Sequence, residues 1–156
     1  MVAAARRPYR HLVTPRRLVL SVEWAVHGAF HRLTGHRFST QAPTDGKVGT
    51  LFLVSTGRRS GKQRRNGLFY IVDRENFVVV ASNAGENVDP QWWKNLQVNP
   101  EAAVEIGRGH QPVRARQATP QETERLWPEL ERGYPEFAAY RSTVTRKIPV
   151  VILEPR

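Results

Sequence analysis

The sequence contains no cysteine and only one methionine among its 156 residues. The absence of cysteine excludes disulfides, thiolate nucleophiles and cysteine-bound zinc or iron–sulfur sites. There is also no uninterrupted apolar run of the kind found in a cleavable signal sequence or a membrane span, so we expect a cytoplasmic protein. The length fits a single compact domain with one hydrophobic core.

Acidic residues are scarce relative to basic ones. There are 14 Asp and Glu against 24 Lys and Arg, which gives a formal net charge of +10. Such an excess predicts a polyanionic ligand, a nucleic acid or an anionic membrane surface as a partner, and charge alone does not distinguish among them. The hydrophobic content of 40% argues against a disordered chain.

The positive charge is most concentrated between Arg58 and Arg65, where five of eight residues are basic and none is acidic. Apolar, strand-like runs flank this segment, so we expect a sheet to hold both of its ends. Gly57 and Gly61 allow positive φ, which lets backbone N–H groups and guanidinium groups converge on one phosphate or carboxylate. The segment therefore predicts an anion site, and the alternative is a solvated basic hairpin loop.

Two common nucleotide-binding motifs do not fit the chain. Three residues separate Gly57 from Gly61 where the loop of nucleoside triphosphatases has four, and Gln63 stands where that loop needs a magnesium-binding Ser or Thr. No strand is followed by Gly-x-Gly-x-x-Gly, so a Rossmann domain is not supported either. We therefore exclude both classes.

The first third of the chain predicts one long helix. Residues 1–13 are basic and rich in small residues, and we expect them to be disordered. Apolar residues then recur at helical spacing, which predicts an amphipathic helix over residues 14–34. Its basic ends fit either packing on its own domain or peripheral contact with the inner face of a membrane. Glu23, His27 and His31 share one side of this helix, but nothing else completes a metal set, so we expect no metal site.

The remaining pattern predicts an α+β fold with a small, barrel-like sheet. We expect a helix over residues 91–98 with Asp89 as N-cap and Pro90 as its first residue, and a second helix that begins with a capping box at Thr119. A third, short helix follows Pro135. Pro149 predicts that the last strand begins at a sheet edge. The six expected strands, mostly antiparallel because hairpins connect them, cover residues 51–56, 66–72, 77–82, 102–106, 111–118 and 148–153.

Seven motifs in a fixed order identify a family resemblance over residues 51–155. With them the chain resembles the deazaflavin-dependent nitroreductases, split β-barrel proteins that use the 5-deazaflavin coenzyme F420. The motifs are Thr-Gly-Arg-Arg-Ser-Gly-Lys-x-Arg (56–64), Val-Ala-Ser-Asn-x-Gly (80–85), Asp-Pro-x-Trp-x-x-Asn-Leu-x-x-Asn-Pro (89–100), Val-Arg-Ala-Arg (113–116), Leu-Trp-Pro (126–128), Tyr-Pro-x-Phe-x-x-Tyr (134–140) and Arg-x-Ile-Pro-Val-Val-x-Leu-Glu-Pro (146–155).

The resemblance implies a fold and a coenzyme site. It implies a split β-barrel like that of FMN-binding proteins, with residues 14–156 as one domain and the barrel over 50–155. Coenzyme F420 ends in a phosphate and a chain of glutamates, a polyanion that the basic segment suits. The residues expected to bind the coenzyme are Arg58, Arg59, Ser60, Lys62, Arg64, Arg65, Asn66, Gly67, Leu68, Phe69, Val80, Ala81, Ser82, Asn83, Gln91, Trp92, Trp93, Lys94, Asn95 and Phe137.

The resemblance also implies hydride transfer from the reduced coenzyme to a quinone, enone or nitroaromatic acceptor, with a quinone such as menaquinone as the expected substrate. The protein then needs to align the two reactants, exclude water and supply a proton. We expect Ser82, Tyr134 and Tyr140 as candidate proton donors, each of which is equally explained as a structural hydroxyl. The expected substrate wall consists of Phe69, Tyr134, Phe137 and Tyr140.

Three residues of the chain differ from the family pattern, and alternative functions stay open. Phe69 and Phe137 stand where the family often has tyrosine, which disfavours nitro reduction more than quinone reduction. Asn83 stands where the family often has lysine, which removes one cation near the coenzyme. One alternative is a split-barrel protein that uses FMN or has no catalytic activity. A nucleic-acid-binding module is disfavoured, because the charge is concentrated in one loop. The chain is expected to be a monomer or a homodimer.

Overall fold

The computed structural model describes residues 40–156. The predicted disordered segment 1–13, the predicted helix 14–34 and its Glu23, His27 and His31 lie outside the described residues. In the described part, six antiparallel strands close into a barrel in the order β1-β2-β3-β6-β5-β4. The strands are β1 Gly49–Thr56, β2 Gln63–Asp73, β3 Asn76–Val80, β4 Glu101–Ile106, β5 Gly109–Gln117 and β6 Val150–Pro155.

Three helices accompany the barrel, so the predicted α+β class and barrel architecture are confirmed. They are α1 Gln91–Val98, α2 Pro120–Gly133 and α3 Glu136–Thr143. The capping box predicted for α2 is present, because the Thr119 side chain accepts a hydrogen bond from the Glu122 N–H and the Glu122 carboxylate accepts one from the Thr119 N–H.

Successive side chains of each strand point to opposite faces of the sheet, and the apolar ones form two hydrophobic cores. The first receives residues from all six strands, such as Leu51 and Leu53 of β1, and therefore fills the barrel interior. Helix α1 adds Trp92, Trp93 and Leu96 to it. The second core lies on the outer face of β2, β3 and β6, where helices α2 and α3 cover the sheet with Leu126, Trp127, Leu130, Phe137 and Tyr140.

Two local predictions were wrong. Asp89 does not cap α1, because the N-cap position is Pro90 and the Asp89 carboxylate instead accepts a hydrogen bond from Arg146 Nη1 at 2.8 Å. Pro149 does not mark a sheet edge, since β6 lies between β3 and β5 in a closed barrel. Pro149 precedes the first residue of β6, so its missing N–H costs the strand ladder nothing. Its carbonyl accepts a hydrogen bond from the Ala81 N–H at 2.9 Å.

Candidate functional site

The basic segment forms a tight turn between β1 and β2. Gly57 N–H donates to the Lys62 carbonyl and Gly61 N–H donates to the Gly57 carbonyl, both at 2.8 Å. A Cβ atom on Gly57 would lie 2.9 Å from Ser60 Oγ, and Gly61 has a φ of +66°. Gly61 therefore adopts the positive φ that the sequence predicted, whereas Gly57 does not, and at Gly57 it is the close contact that disfavours a side chain.

Arg58 connects this turn to helix α1. Its Nη1 and backbone N–H both donate to Asn95 Oδ1, at 3.0 and 3.2 Å, and its Nη2 donates to Gln91 Oε1 at 3.0 Å. Gln91 and Asn95 are four residues apart and so lie on one face of the helix. The structure thus brings together two of the segments that the sequence assigned to the coenzyme.

Four cations near this contact have no carboxylate partner. Within residues 40–156, Arg58, Arg59, Lys62 and Arg64 make no ion pair, whereas the arginines of β5 each pair with at least one glutamate. Arg64 Nη2 donates only to Ser60 Oγ, at 3.3 Å. We call these four residues the cationic loop. Guanidinium groups with unused donors on the surface suit a phosphate or carboxylate ligand.

Arg65 was predicted to bind the coenzyme, but it lies on the opposite face of β2 from Arg64, as consecutive strand residues do. Its Nε donates to Glu105 Oε2 at 2.7 Å, and its guanidinium lies 3.7 Å from the centroid of the Phe52 ring. The Arg65 charge is therefore already paired and points away from the cationic loop.

Ser55 holds a buried hydroxyl that has no partner. Ser55 is 1% exposed, and its Oγ is the single buried side-chain oxygen or nitrogen in residues 40–156 without a hydrogen bond. Ser55 lies opposite Arg64 in the β1–β2 ladder, so both side chains leave the sheet on the same face. A buried polar atom without a partner is costly, and one beside the cationic loop fits a ligand that supplies the missing bond.

The tryptophans of α1 are core residues. Trp92 and Trp93 are each 5% exposed and pack with the barrel interior. They hold α1 in place and leave Gln91 and Lys94 as its more accessible coenzyme candidates. That Trp92 and Trp93 contact the coenzyme stays a prediction.

Other predicted coenzyme residues are spread over both faces of β2 and the end of β3. Asn66 and Leu68 lie opposite Leu53 and Leu51, on the interior face, whereas Gly67 lies opposite Phe52. Val80 and Ala81 are buried, so only their backbone can face a ligand.

A row of aromatic rings forms the predicted substrate wall. The ring centroids of Phe69 and Tyr134 are 4.5 Å apart, those of Tyr134 and Phe137 are 5.0 Å apart, and those of Phe137 and Tyr140 are 6.3 Å apart. The structure therefore brings all four predicted residues together. Phe137 and Tyr140 lie on α3, whereas Tyr134 is the C-cap residue of α2.

Glu136 holds both tyrosine hydroxyls of this row. Tyr134 and Tyr140 each donate to Glu136 Oε2, at 2.8 and 2.9 Å. Burial, followed by the bond to Glu136, raises the pKa of Tyr134, so its phenol stays protonated. Sequence reasoning missed Glu136, although its four-residue spacing from Tyr140 on a helix was a usable signal.

The segment that follows β3 carries Ser82, which is buried, and Asn83, which has a φ of +49°. Arg146 organises this segment, because its guanidinium donates to the carbonyls of Ala81, Ser82 and Glu86 at 2.9 to 3.0 Å. A Cβ atom on Gly85 would lie 2.7 Å from Tyr140 Cδ1, so the segment packs directly on the aromatic row.

No helix of residues 40–156 is long and apolar enough to cross a membrane. The same residues contain no group of three or more His, Asp or Glu side chains that could hold a metal ion.

Comparisons with known proteins give one consistent family. The family model described as F420H(2)-dependent quinone reductase matches residues 25–155. A putative F420H(2)-dependent quinone reductase of Mycobacterium tuberculosis is 45% identical over 109 residues, which cover 70% of this chain and 92% of the relative.

Solved structures agree with this match. A structure described as an F420-H2 dependent reductase, FDR-A, superposes with a TM-score of 0.63 at 32% identity and covers 67% of this chain and 93% of its own. A second structure, described as a domain-swapped dimer, has a TM-score of 0.65 at 26% identity, over 86% of this chain and 99% of its own.

Proposed function

The chain belongs to the F420H(2)-dependent quinone reductase family, and we propose that it transfers hydride from reduced coenzyme F420 to a quinone such as menaquinone. The family name indicates that the cofactor is coenzyme F420, and it favours F420 over the alternative cofactor FMN. When bound, the reduced deazaflavin supplies the hydride. The residues of the chain then have to bind, align and shield the two reactants.

The observation that carries the coenzyme proposal is the cationic loop. Its four cations have no ion pair in the described residues, and the loop is fixed to α1 through Arg58 and Asn95. A phosphate and a chain of glutamates offer the carboxylate and phosphate oxygens that these donors lack. Arg59, Lys62 and Arg64, together with the remaining guanidinium donors of Arg58, would hold the acidic tail, with the Ser55 hydroxyl as a neighbouring donor.

The aromatic row supports an acceptor that binds by stacking. Phe69 and Tyr134 are half-buried and stack on each other, whereas Phe137 and Tyr140 are buried. A planar quinone can stack on such rings without needing a hydrogen bond from them. The proton-donor roles proposed for Ser82, Tyr134 and Tyr140 need a free hydroxyl proton, and both tyrosines direct theirs to Glu136.

The coenzyme proposal is tested by titrating the purified protein against F420, FMN and a tail-less deazaflavin, with ligand fluorescence as the signal. We expect F420 to bind most tightly and its affinity to fall as salt is added, because the loop charges are exposed and screened. Tighter binding of FMN, or equal affinity for the tail-less compound, would contradict the proposal.

Two proposals concern partners. The basic ends of the segment 14–34 and the chemistry of menaquinone, a lipid quinone, support peripheral membrane contact. Failure of the full-length protein to sediment with anionic liposomes at low salt would exclude such contact.

The relative described as a domain-swapped dimer supports a homodimer as the alternative to a monomer. Light scattering coupled to size-exclusion chromatography measures which state is present.

A further inference from the structure

Two of the three hydroxyl-bearing residues proposed as proton donors share one hydrogen-bond acceptor. Tyr134 lies at the end of α2 and Tyr140 lies on α3, yet both hydroxyls meet at Glu136 Oε2. In both bonds the hydroxyl is the donor and the carboxylate oxygen is the acceptor. Each phenol therefore uses its single proton to reach Glu136.

A phenol has one proton to donate. While the protons of Tyr134 and Tyr140 point to Glu136, each phenol oxygen can accept a hydrogen bond but cannot offer one to an acceptor molecule. Phe137, which lies between the two tyrosine rings, has no hydroxyl at all. The row therefore presents aromatic surface, and no donated proton, to whatever stacks beside it.

The two classes of acceptor differ in their need for such a proton. A quinone takes a hydride to give a hydroquinone anion, which water can protonate afterwards. Reduction of a nitro group to a nitroso group consumes one hydride and one proton and expels an oxygen as water, so a positioned donor assists the N–O bond cleavage. Removing donors from the wall thus disfavours the nitro reaction more than the quinone reaction.

Resting on the proposed function, we propose that Glu136 is a positioning residue that sets the acceptor preference, by holding the hydroxyl protons of Tyr134 and Tyr140 away from the acceptor. The residue lies at the unspecified position of the motif Tyr-Pro-x-Phe-x-x-Tyr. Its identity is thus a property of this chain, which the shared motif does not determine.

The first test uses the protein without coenzyme. The protein is labelled with ¹³Cζ-tyrosine, its resonances are assigned with single Tyr→Phe variants, and wild type is compared with Glu136→Gln. We expect the Tyr134 and Tyr140 signals to move and the Tyr70 signal to stay, since Tyr70 lies in the barrel interior. Glu124→Gln, which removes the same charge from an exposed position on α2, is the matched control and should move none of them.

The second test measures single-turnover oxidation of reduced F420 by a menaquinone analogue and by a nitroimidazole. Glu136→Ala should raise the nitroimidazole rate relative to the quinone rate by about tenfold or more, because it removes the acceptor and the freed phenols can then donate. Glu136→Gln should act in the same direction but less strongly, since its amide oxygen can still accept a hydrogen bond. Adding Tyr134→Phe and Tyr140→Phe to Glu136→Ala should remove the gain, as a coupled effect requires.

The possible results separate the inference from the function on which it rests. Unmoved tyrosine signals, or moved signals with an unchanged ratio of the two rates, would overturn the role of Glu136. Absence of turnover with both acceptors in wild type would instead contradict the proposed function, whatever the tyrosine signals show.

Discussion

At the scale of single residues, neighbours in sequence have different roles. Arg64 and Arg65 are adjacent, but Arg64 belongs to the cationic loop, whereas Arg65 is paired with Glu105 on the other face of β2. The alternation of strand residues accounts for this difference, and it could have been deduced once the strand was extended back to residue 63. Of the five basic residues of this segment, Arg65 therefore has a different environment from the other four.

Removal of cations from the loop should weaken coenzyme binding. In Arg58→Ala/Arg64→Ala, we expect a loss of about 1.5–3 kcal/mol of binding free energy for each charged hydrogen bond to the ligand, measured by fluorescence titration. The matched control is Arg108→Ala, which removes an exposed cation near the β4–β5 turn. The β1–β4 register places this turn away from the cationic loop, since Ser55 pairs with Ala102 and Phe52 with Glu105. Equal losses in the two proteins would show that only total charge matters.

The missing hydroxyl of Phe137 should also limit nitro reduction. We expect Phe137→Tyr to raise the rate of nitroimidazole reduction and to leave quinone reduction little changed, because the new phenol can donate to a nitro group. Tyr140→Phe serves as the counterpart and tests the proposed proton-donor role. While Glu136 holds the Tyr140 proton we expect little change in the turnover of either acceptor, and slower turnover of both would assign the proton-donor role to Tyr140. The same single-turnover assay measures both variants. An unaltered nitroimidazole rate in Phe137→Tyr would show that residue 137 does not limit nitro reduction.

At the scale of elements, one arginine fixes the segment between β3 and α1. Arg146 reaches three carbonyls and Asp89, and its side chain is only 15% exposed. Burial lowers its pKa, but the adjacent Asp89 carboxylate opposes this effect. The side chain thus fixes a segment that contains a short 3-10 helix, Asn83–Gly85, whose three residues all have positive φ.

Loss of this guanidinium should destabilise the fold. Arg146→Met leaves the three carbonyls and Asp89 without their donor, and we expect about 2–4 kcal/mol lower free energy of unfolding. Arg125→Met is the comparison, because the Arg125 side chain is 52% exposed and its ion pair with Asp73 is worth about 0–1 kcal/mol. Urea unfolding measures both, and similar losses would mean that Arg146 does not organise the segment.

The start of helix α2 predicts a dependence of stability on pH. The Arg116 guanidinium, followed by the Thr119 N–H, lowers the pKa of Glu122 to about 2. A lowered carboxyl pKa gives stability that is complete above the ordinary value of about 4.3 and is lost as the pH falls towards 2. Glu122→Gln keeps the capping-box geometry and removes the charge. Its free energy of unfolding should be lower at neutral pH and should vary less between pH 5 and 2 than in wild type; parallel pH profiles would contradict this.

At the scale of the whole molecule, the sequence predicted the barrel better than the contacts within it. Apolar runs separated by short turns located all six strands, because alternation and turn chemistry are local properties. Asp89 was assigned to a helix cap because its partner, Arg146, lies 57 positions away and is visible only in the folded chain. Family motifs identified the ligand class, but they did not indicate that Glu136 joins two tyrosines from different elements.

The distribution of charge also makes sense only in the folded molecule. In the described part, most arginines of the barrel wall and of α2 are paired with carboxylates, and the unpaired cations of the loop lie beside α1. A net charge of +10 steers any anion towards the protein, whereas the cationic loop provides a place for a compact one. This arrangement favours a small polyanionic coenzyme over a nucleic acid.

The most direct measurement of the central claim is the anaerobic oxidation of F420H2 by a menaquinone analogue, followed by absorbance in a single turnover with enzyme in excess. We expect wild type to oxidise one coenzyme per quinone reduced, faster than it does with a nitroimidazole, and we expect Arg58→Ala/Arg64→Ala to need more enzyme to reach the same rate. Oxidation no faster than in a protein-free control, or equal support of the reaction by reduced FMN, would contradict the claim.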